Sequence, residues 1–152
     1  MLQKPARLRI LKVTMYCYQG WKTVTIEDRE TSSTIVGSCH CGSVRFAISE
    51  QPQWLTSCNC SVCRRYAALW GHVDISSVTV EAAEDATIAY IRGDGSLAFH
   101  SCRTCGCTTH WENLKPQEYS HMAVNFRMCA GEDISRFRIR QFDGADSWAF
   151  ID

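Results

Sequence analysis

This 152-residue chain lacks net charge, a long apolar run, an internal repeat and a low-complexity tract. Each absence removes a class of function. Sixteen Lys and Arg balance sixteen Asp and Glu. The balance is uneven: residues 1–33 carry a net +3, and residues 34–152 a net −3. A weakly acidic main domain lacks the basic face that phosphate neutralisation needs, so no nucleic acid partner is expected. The uncharged stretches are too short and too polar to span a bilayer, so no membrane partner is expected either. Lys4, Arg7, Arg9 and Lys12 interrupt every candidate apolar core of a secretion signal in residues 1–14. With no linker inside it, the stretch 34–152 reads as one unit, preceded by an N-terminal extension, 1–33, of different texture.

What the chain has in excess is cysteine. A hydrophobic fraction of 45% and a charged fraction of 21% are ordinary for a soluble globular chain, but ten cysteines are not. In a secreted protein that count predicts a disulfide framework. Without a secretion signal it predicts a cytoplasmic protein with metal-bound thiols.

Eight of the ten fall in three clusters: C-x-C at Cys39 and Cys41, C-x-C-x-x-C at Cys58, Cys60 and Cys63, and C-x-x-C-x-C at Cys102, Cys105 and Cys107. Three thiols within six residues allow one short loop to aim three sulfurs at one point. Such a donor set suits Zn²⁺, which normally takes four ligands. Knuckle-like pairs combine two by two into a closed Cys₄ site, so Cys39 and Cys41 with Cys102 and Cys105 make one complete structural zinc site. Cys58, Cys60 and Cys63 then remain as a three-thiolate set for a second zinc. Cys107 either supplies its fourth ligand or points elsewhere. Spacing alone also permits the set 58/60/63 to pair with Cys102 or Cys105. A fourth position closed by protein makes the second site structural, as in a non-catalytic zinc-stabilised binding module; an open one makes it catalytic.

The rest of the chain predicts a mainly β domain with little helix. Strands are expected at Leu8–Thr14, Thr23–Ile26, Val44–Ile48, His72–Ile75, Val78–Val80, Thr87–Ile91, Leu97–His100, Thr108–Trp111, His121–Asn125 and Phe137–Gln141. Gly93–Ser96 supplies a hairpin turn. Arg64–Trp70 has helix-permissive residues as far as Gly71. The thiols already account for two zinc ions, so none of the five histidines is assigned to metal. Arg64 and Arg65 read as a solvated helix start, or as a carboxylate-binding pair beside the metal. Cys129 reads as a buried structural thiol and Cys17 as one without a partner.

With the clusters placed, Gly37–Phe46, Cys58–Arg64 and Phe99–Cys107 together resemble the glutathione-dependent formaldehyde-activating enzyme family, which includes centromere protein V. Val124–Arg127 and Gln141–Trp148 are similar to its C-terminal half. The resemblance covers about residues 35–150 and implies several coiled antiparallel sheets pinned by zinc. It implies a structural zinc on Cys39, Cys41, Cys102 and Cys105, and a catalytic zinc on Cys58, Cys60 and Cys63. The implied activity is that of a carbon–sulfur lyase joining a small-molecule thiol, glutathione, to a small aldehyde, formaldehyde, as S-hydroxymethylglutathione. Tyr66 and Trp70 depart from the small-residue stretch associated with formaldehyde-handling members and put the implied substrate in question.

Overall fold

The structure, a computed structural model, describes residues 10–17, 20–27 and 34–152. Two units, Met1–Ser32 and Ser33–Asp152, are compact in themselves. In the first, strands β1 (Ile10–Cys17) and β2 (Gly20–Glu27) pair antiparallel from Ile10↔Glu27 to Cys17↔Gly20. Both are longer than the β-type runs that announce them. Leu8 and Arg9 lie outside the described residues, as does the thiol of Cys17.

The second unit is built from two sheets. The smaller has the order β3-β4-β7, from β3 (Ile35–Ser38), β4 (Val44–Ile48) and β7 (Val78–Ala82). The larger contains β5 (Leu55–Cys58), β6 (Trp70–Asp74), β8 (Thr87–Arg92), β9 (Leu97–Cys102), β10 (Thr108–Asn113), β11 (His121–Asn125) and β12 (Ile139–Phe142). Its order is β12-β5-β6-β11-β10-β9-β8, and only the β12–β5 pair is parallel. Two short helices complete the unit, α1 (Cys63–Tyr66) and α2 (Gly131–Ser135). The domain is mainly β with little helix. Among the described residues no helix is long and apolar enough to cross a membrane.

Period-2 alternation divides the large sheet's residues between two faces. Leu55, Val73 and Val124 pack against Ile35, Phe46 and Ile48 of the small sheet, with Leu69 and Phe126 closing the layer. Each of these is 5% exposed or less, and burying one such side chain stabilises by about 1.5–3 kcal/mol. A second cluster holds Trp70, Phe99, Trp111 and Ala123, and what covers it is the cysteine loop: Cys60 and Cys63 belong to the same cluster. One core is therefore sealed by a sheet and the other by a loop carrying three thiols.

The helix expected over Arg64–Trp70 is shorter than its composition suggests. It stops at Tyr66, because Ala67 takes the left-handed conformation (φ 48°). Leu69 then donates its N–H to the buried Asn125 Oδ1 at 3.1 Å, and Trp70 starts β6 opposite Asn125 and Thr56. Sheet pairing overrides helix propensity here.

Candidate metal centres

The first cluster joins the two sheets. Cys39 and Cys41 sit on the turn between β3 and β4, while Cys102 ends β9 and Cys105 lies on the turn into β10. All four sulfurs lie within 4.8 Å of one another. The Cys39–Cys41 and Cys41–Cys102 sulfur pairs are each 3.6 Å apart. Four thiolates about 2.3 Å from a tetrahedral zinc would stand about 3.8 Å from each other, close to these two spacings. Backbone geometry fixes the donors. Val44 N–H points at Cys39 Sγ (3.3 Å), and Cys102 N–H donates to the Cys107 carbonyl (2.8 Å). Gly106, at φ +74°, makes the left-handed turn that returns the chain to β10.

The second cluster rises from one end of β5. Cys58 is the last residue of that strand, Cys60 follows in the loop, and Cys63 opens α1. Their three sulfurs also lie within 4.8 Å of one another. Donors converge on them from the backbone: Cys60 N–H to Cys58 Sγ (3.4 Å) and Cys63 N–H to Cys60 Sγ (3.5 Å). Trp70 Nε1–H donates to Cys63 Sγ at 3.2 Å from the sheet below. Arg65 donates to the Ser61 carbonyl (2.7 Å) and closes the loop's other side.

The thiol chemistry shows what these sites demand. Hydrogen bonding from Cys63 holds the Cys58 thiol down at about 5, against the effect of burial and with help from the N–H groups of Cys60 and Gly144. Cys63 is pushed far up by that same bond to Cys58, then by burial. In the first cluster burial pushes Cys39 up to about 12. Burial works against ionising Cys105, but the backbone groups of Cys107 and Cys41 and the neighbouring thiols bring it down to about 6. Within each cluster the thiols are thus pulled apart in their readiness to ionise, because several negative sulfurs in one small space need a cation to balance them. A soft divalent ion is the natural fit for both donor sets.

The two clusters differ in the fourth ligand. Among the described residues no Cys, His, Asp or Glu joins Cys58, Cys60 and Cys63. The structure places Cys107, a candidate for that position, against the first cluster instead. It packs with Cys39, Cys102 and Cys105, and burial followed by the neighbouring Cys105 and Cys102 raises its thiol. The turn that brings Cys102 and Cys105 to Cys39 and Cys41 carries Cys107 along with it. Arg64 is exposed, and its backbone N–H donates to the Cys60 carbonyl at 3.1 Å. Cys129 is half-buried, and burial, then Asp133, raises its thiol to about 12.

A clamp from the C-terminal segment escapes a search for metal ligands. Asn59, the residue between Cys58 and Cys60, donates its N–H to the Phe142 carbonyl (3.2 Å) and its Nδ2 to Asp143 Oδ1 (2.7 Å), and accepts from Ala145 N–H at Oδ1 (2.9 Å). The Asn59 amide, then Ser147, hold the Asp143 carboxyl down at about 2. Next to it Gly144 comes so close that a Cβ there would sit 2.6 Å from Cys58 Sγ and 3.2 Å from Cys60 Cβ. The only signal for it in the sequence is the resemblance carried by Gln141–Trp148.

Comparison with known proteins fits this geometry. The family model described as glutathione-dependent formaldehyde-activating enzyme matches residues 34–137. A curated Halomonas elongata protein named "Putative glutathione-dependent formaldehyde-activating enzyme" is 36% identical over 78 residues, 45% of this chain and 50% of that protein. The chain thus matches about half the length of that relative. A crystal structure of a Rhodobacter sphaeroides protein superposes with a TM-score of 0.57 at 26% identity, covering 69% of this chain and 99% of that one.

Proposed function

The chain belongs to the glutathione-dependent formaldehyde-activating enzyme family, and we propose that it is a zinc-dependent carbon–sulfur lyase. Its reaction would join formaldehyde to glutathione, or to a related thiol, as the S-hydroxymethyl adduct. Residues 34–152 would form the catalytic domain and residues 1–33 an extension to it. The observation that carries the reading is the contrast in ligand number: four sulfurs converge at one centre and three at the other.

In this reading Cys39, Cys41, Cys102 and Cys105 would hold a structural zinc, and Cys58, Cys60 and Cys63 a catalytic one. When bound there, zinc supplies an open position at which a substrate thiol is held as thiolate at neutral pH. The chain's own groups do the rest. Trp70 Nε1–H and the N–H groups of Cys60 and Cys63 neutralise part of the charge of three clustered thiolates. The Asn59–Asp143 clamp keeps the sulfurs convergent. Holding thiol and aldehyde together replaces a bimolecular encounter with a positioned one. In the balanced step the sulfur lone pair forms the S–C bond, the carbonyl π bond breaks, and the proton lost by the thiol ends on the new alkoxide oxygen.

Thiols gathered at metal-ligand spacing suit a reducing, cytoplasmic setting, where glutathione is at hand. The position of Cys107 supports an open second site over a closed one in a purely structural module. The test is the rate of S-hydroxymethylglutathione formation from glutathione and formaldehyde, followed by NMR with zinc-loaded protein. Acceleration above the spontaneous rate, lost in Cys60→Ser, is expected; no acceleration contradicts the proposal for this thiol and aldehyde.

A further inference from the structure

The two sheets of residues 34–152 end in β12 and β8 on one and in β3 and β7 on the other, and these edges are treated differently. The C-terminal segment covers β12: Phe142 bridges Phe150, the Ile151 N–H donates to the Gln141 carbonyl (3.0 Å), and Asp152 accepts from the Gln141 N–H (3.1 Å). Cys129 bridges β3 at Gly37, and β7 carries the charge of Glu81. β8 has no such protection. Among the described residues no strand pairs with its outer side, its register with β9 has no bulge, and Thr87–Ile91 holds neither proline nor charge. On it stand three large apolar side chains, Ile88 (51% exposed), Tyr90 (49%) and Ile91 (57%). An edge of this kind is a template for pairing with another chain.

Pairing on the inner side decides which backbone groups of β8 face outward. Arg103 N–H donates to the Ala86 carbonyl (2.8 Å), so that pair, one step beyond Thr87↔Cys102, is hydrogen-bonded. Antiparallel ladders alternate bonded with non-bonded pairs. Ile88, Tyr90 and Arg92 therefore bond to β9, while Thr87, Ala89 and Ile91 turn their N–H and C=O groups away from it. The far side of β9 agrees. Cys102 and His100, opposite Thr87 and Ala89, bond toward β10: the Cys102 N–H to the Cys107 carbonyl (2.8 Å), the His100 carbonyl to Thr109 Oγ1 (3.4 Å). Of the outward groups, the Thr87 carbonyl has the Arg103 guanidinium at 3.5 Å and keeps a second lone pair.

We infer that β8 pairs with β8 of a second copy of this chain, antiparallel about a two-fold axis at Ala89. In that register Ala89 meets Ala89 and Thr87 meets Ile91, so all three outward-facing residues find outward-facing partners, and each pair exchanges both of its bonds. Ile88 then lies opposite Tyr90 in the closer, non-bonded pairs, a match of β-branched with aromatic side chains. A one-residue slip would set outward groups against inward ones. A two-residue slip would leave one of the three outward residues without a partner inside the strand. Arg92, at one end of the strand, comes to the Glu84–Asp85 end of the other copy. Both copies use the same surface, so the contact closes as a dimer and does not propagate. Tyr90 also pairs with Phe99 and lines a cleft with Ser61, Val62, Arg65 and Tyr66, so the dimer contact borders the three-cysteine loop. The inference stands on the sheet edge and is independent of the function proposed above.

Sedimentation equilibrium of the zinc-loaded full chain should show monomer and dimer in exchange, with a dissociation constant on the order of 10 μM, as suits a small interface. A single monomeric species up to about 1 mM overturns the dimer. Ala89→Pro tests the edge itself. Proline is tolerated where the N–H faces outward, so β8 keeps its bonds to β9 while the axis loses its own. Dimerisation should weaken about tenfold or more, with the melting temperature of the dilute monomer unchanged. A variant that folds and dimerises as the wild type does overturns the pairing. Hydrogen exchange gives the answer without a variant. Raising the protein well above its dissociation constant should slow exchange at the Ala89 and Ile91 amides about fivefold, and far less at Ile88 and Tyr90, which already bond to β9. Equal slowing in the two sets, or none in either, overturns the register.

Discussion

The two cysteine clusters use the same donor atom and nearly the same spacing, yet they are built differently. The first draws its sulfurs from two turns 61 residues apart, one on each sheet. The second draws all three from one loop at the end of one strand, and that loop is fixed from outside by Asn59, Gly144 and Trp70. A site assembled from distant segments makes metal binding part of folding; a site assembled within one loop can change its occupancy while the fold persists. Ligand origin, more than ligand type, separates a structural centre from a reactive one.

Breaking the first centre should have the largest effect. Cys102→Ser removes a ligand from a site of the kind that contributes about 10 kcal/mol or more of apparent folding free energy, as much as the whole stability of many domains. The expected outcome is loss of the cooperative thermal transition in circular dichroism; a variant that melts as the wild type does would erase the contrast. Cys60→Ser comes next. It should fold, retain one zinc of two by elemental analysis, and have no lyase activity. Equal unfolding of both variants would show that the two centres do not have separate roles.

Smaller changes sharpen the comparison. Gly144→Ala places a methyl 2.6 Å from Cys58 Sγ, so the sulfur or the 142–147 segment must shift. Zinc affinity at the second centre should fall about 10–100-fold, in line with losses at other supporting residues, while the melting temperature changes little. Chelator competition measures the first and calorimetry the second; unchanged affinity would mean that the close approach has no bearing on the metal. The smallest effect concerns pH. Burial, then the neighbouring His100, lowers His110 to about 3. Below about pH 6.5 the unfolded chain takes up protons that the folded one refuses, so stability falls as pH drops from 6.5 toward 4 and is flat above. His110→Asn should reduce the slope of denaturant-measured stability over that interval. An unchanged slope would leave metal release as its cause.

How much of this could be read from the sequence follows the range of each interaction. The thiol clusters were legible because their spacing is local and chemically specific. Most strands were legible because alternation is local too, including Val44–Ile48 and His121–Asn125. The early end of α1 was not, because its reason is Asn125, buried 56 residues away and accepting the Leu69 N–H. Nor was the parallel pairing of β12 with β5, which brings Phe142 and Gly144 to Cys58. Cys107 was ambiguous for a related reason: counting ligands cannot tell which way a turn carries the residue that follows it.

The central claim is an open fourth position at Cys58, Cys60 and Cys63, and X-ray absorption at the zinc edge tests it directly. With both centres loaded the account predicts an average of about 3.5 sulfurs per zinc, four at one centre and three at the other, rising to about four when a substrate thiol is added. Four sulfurs per zinc before any thiol is added would contradict it.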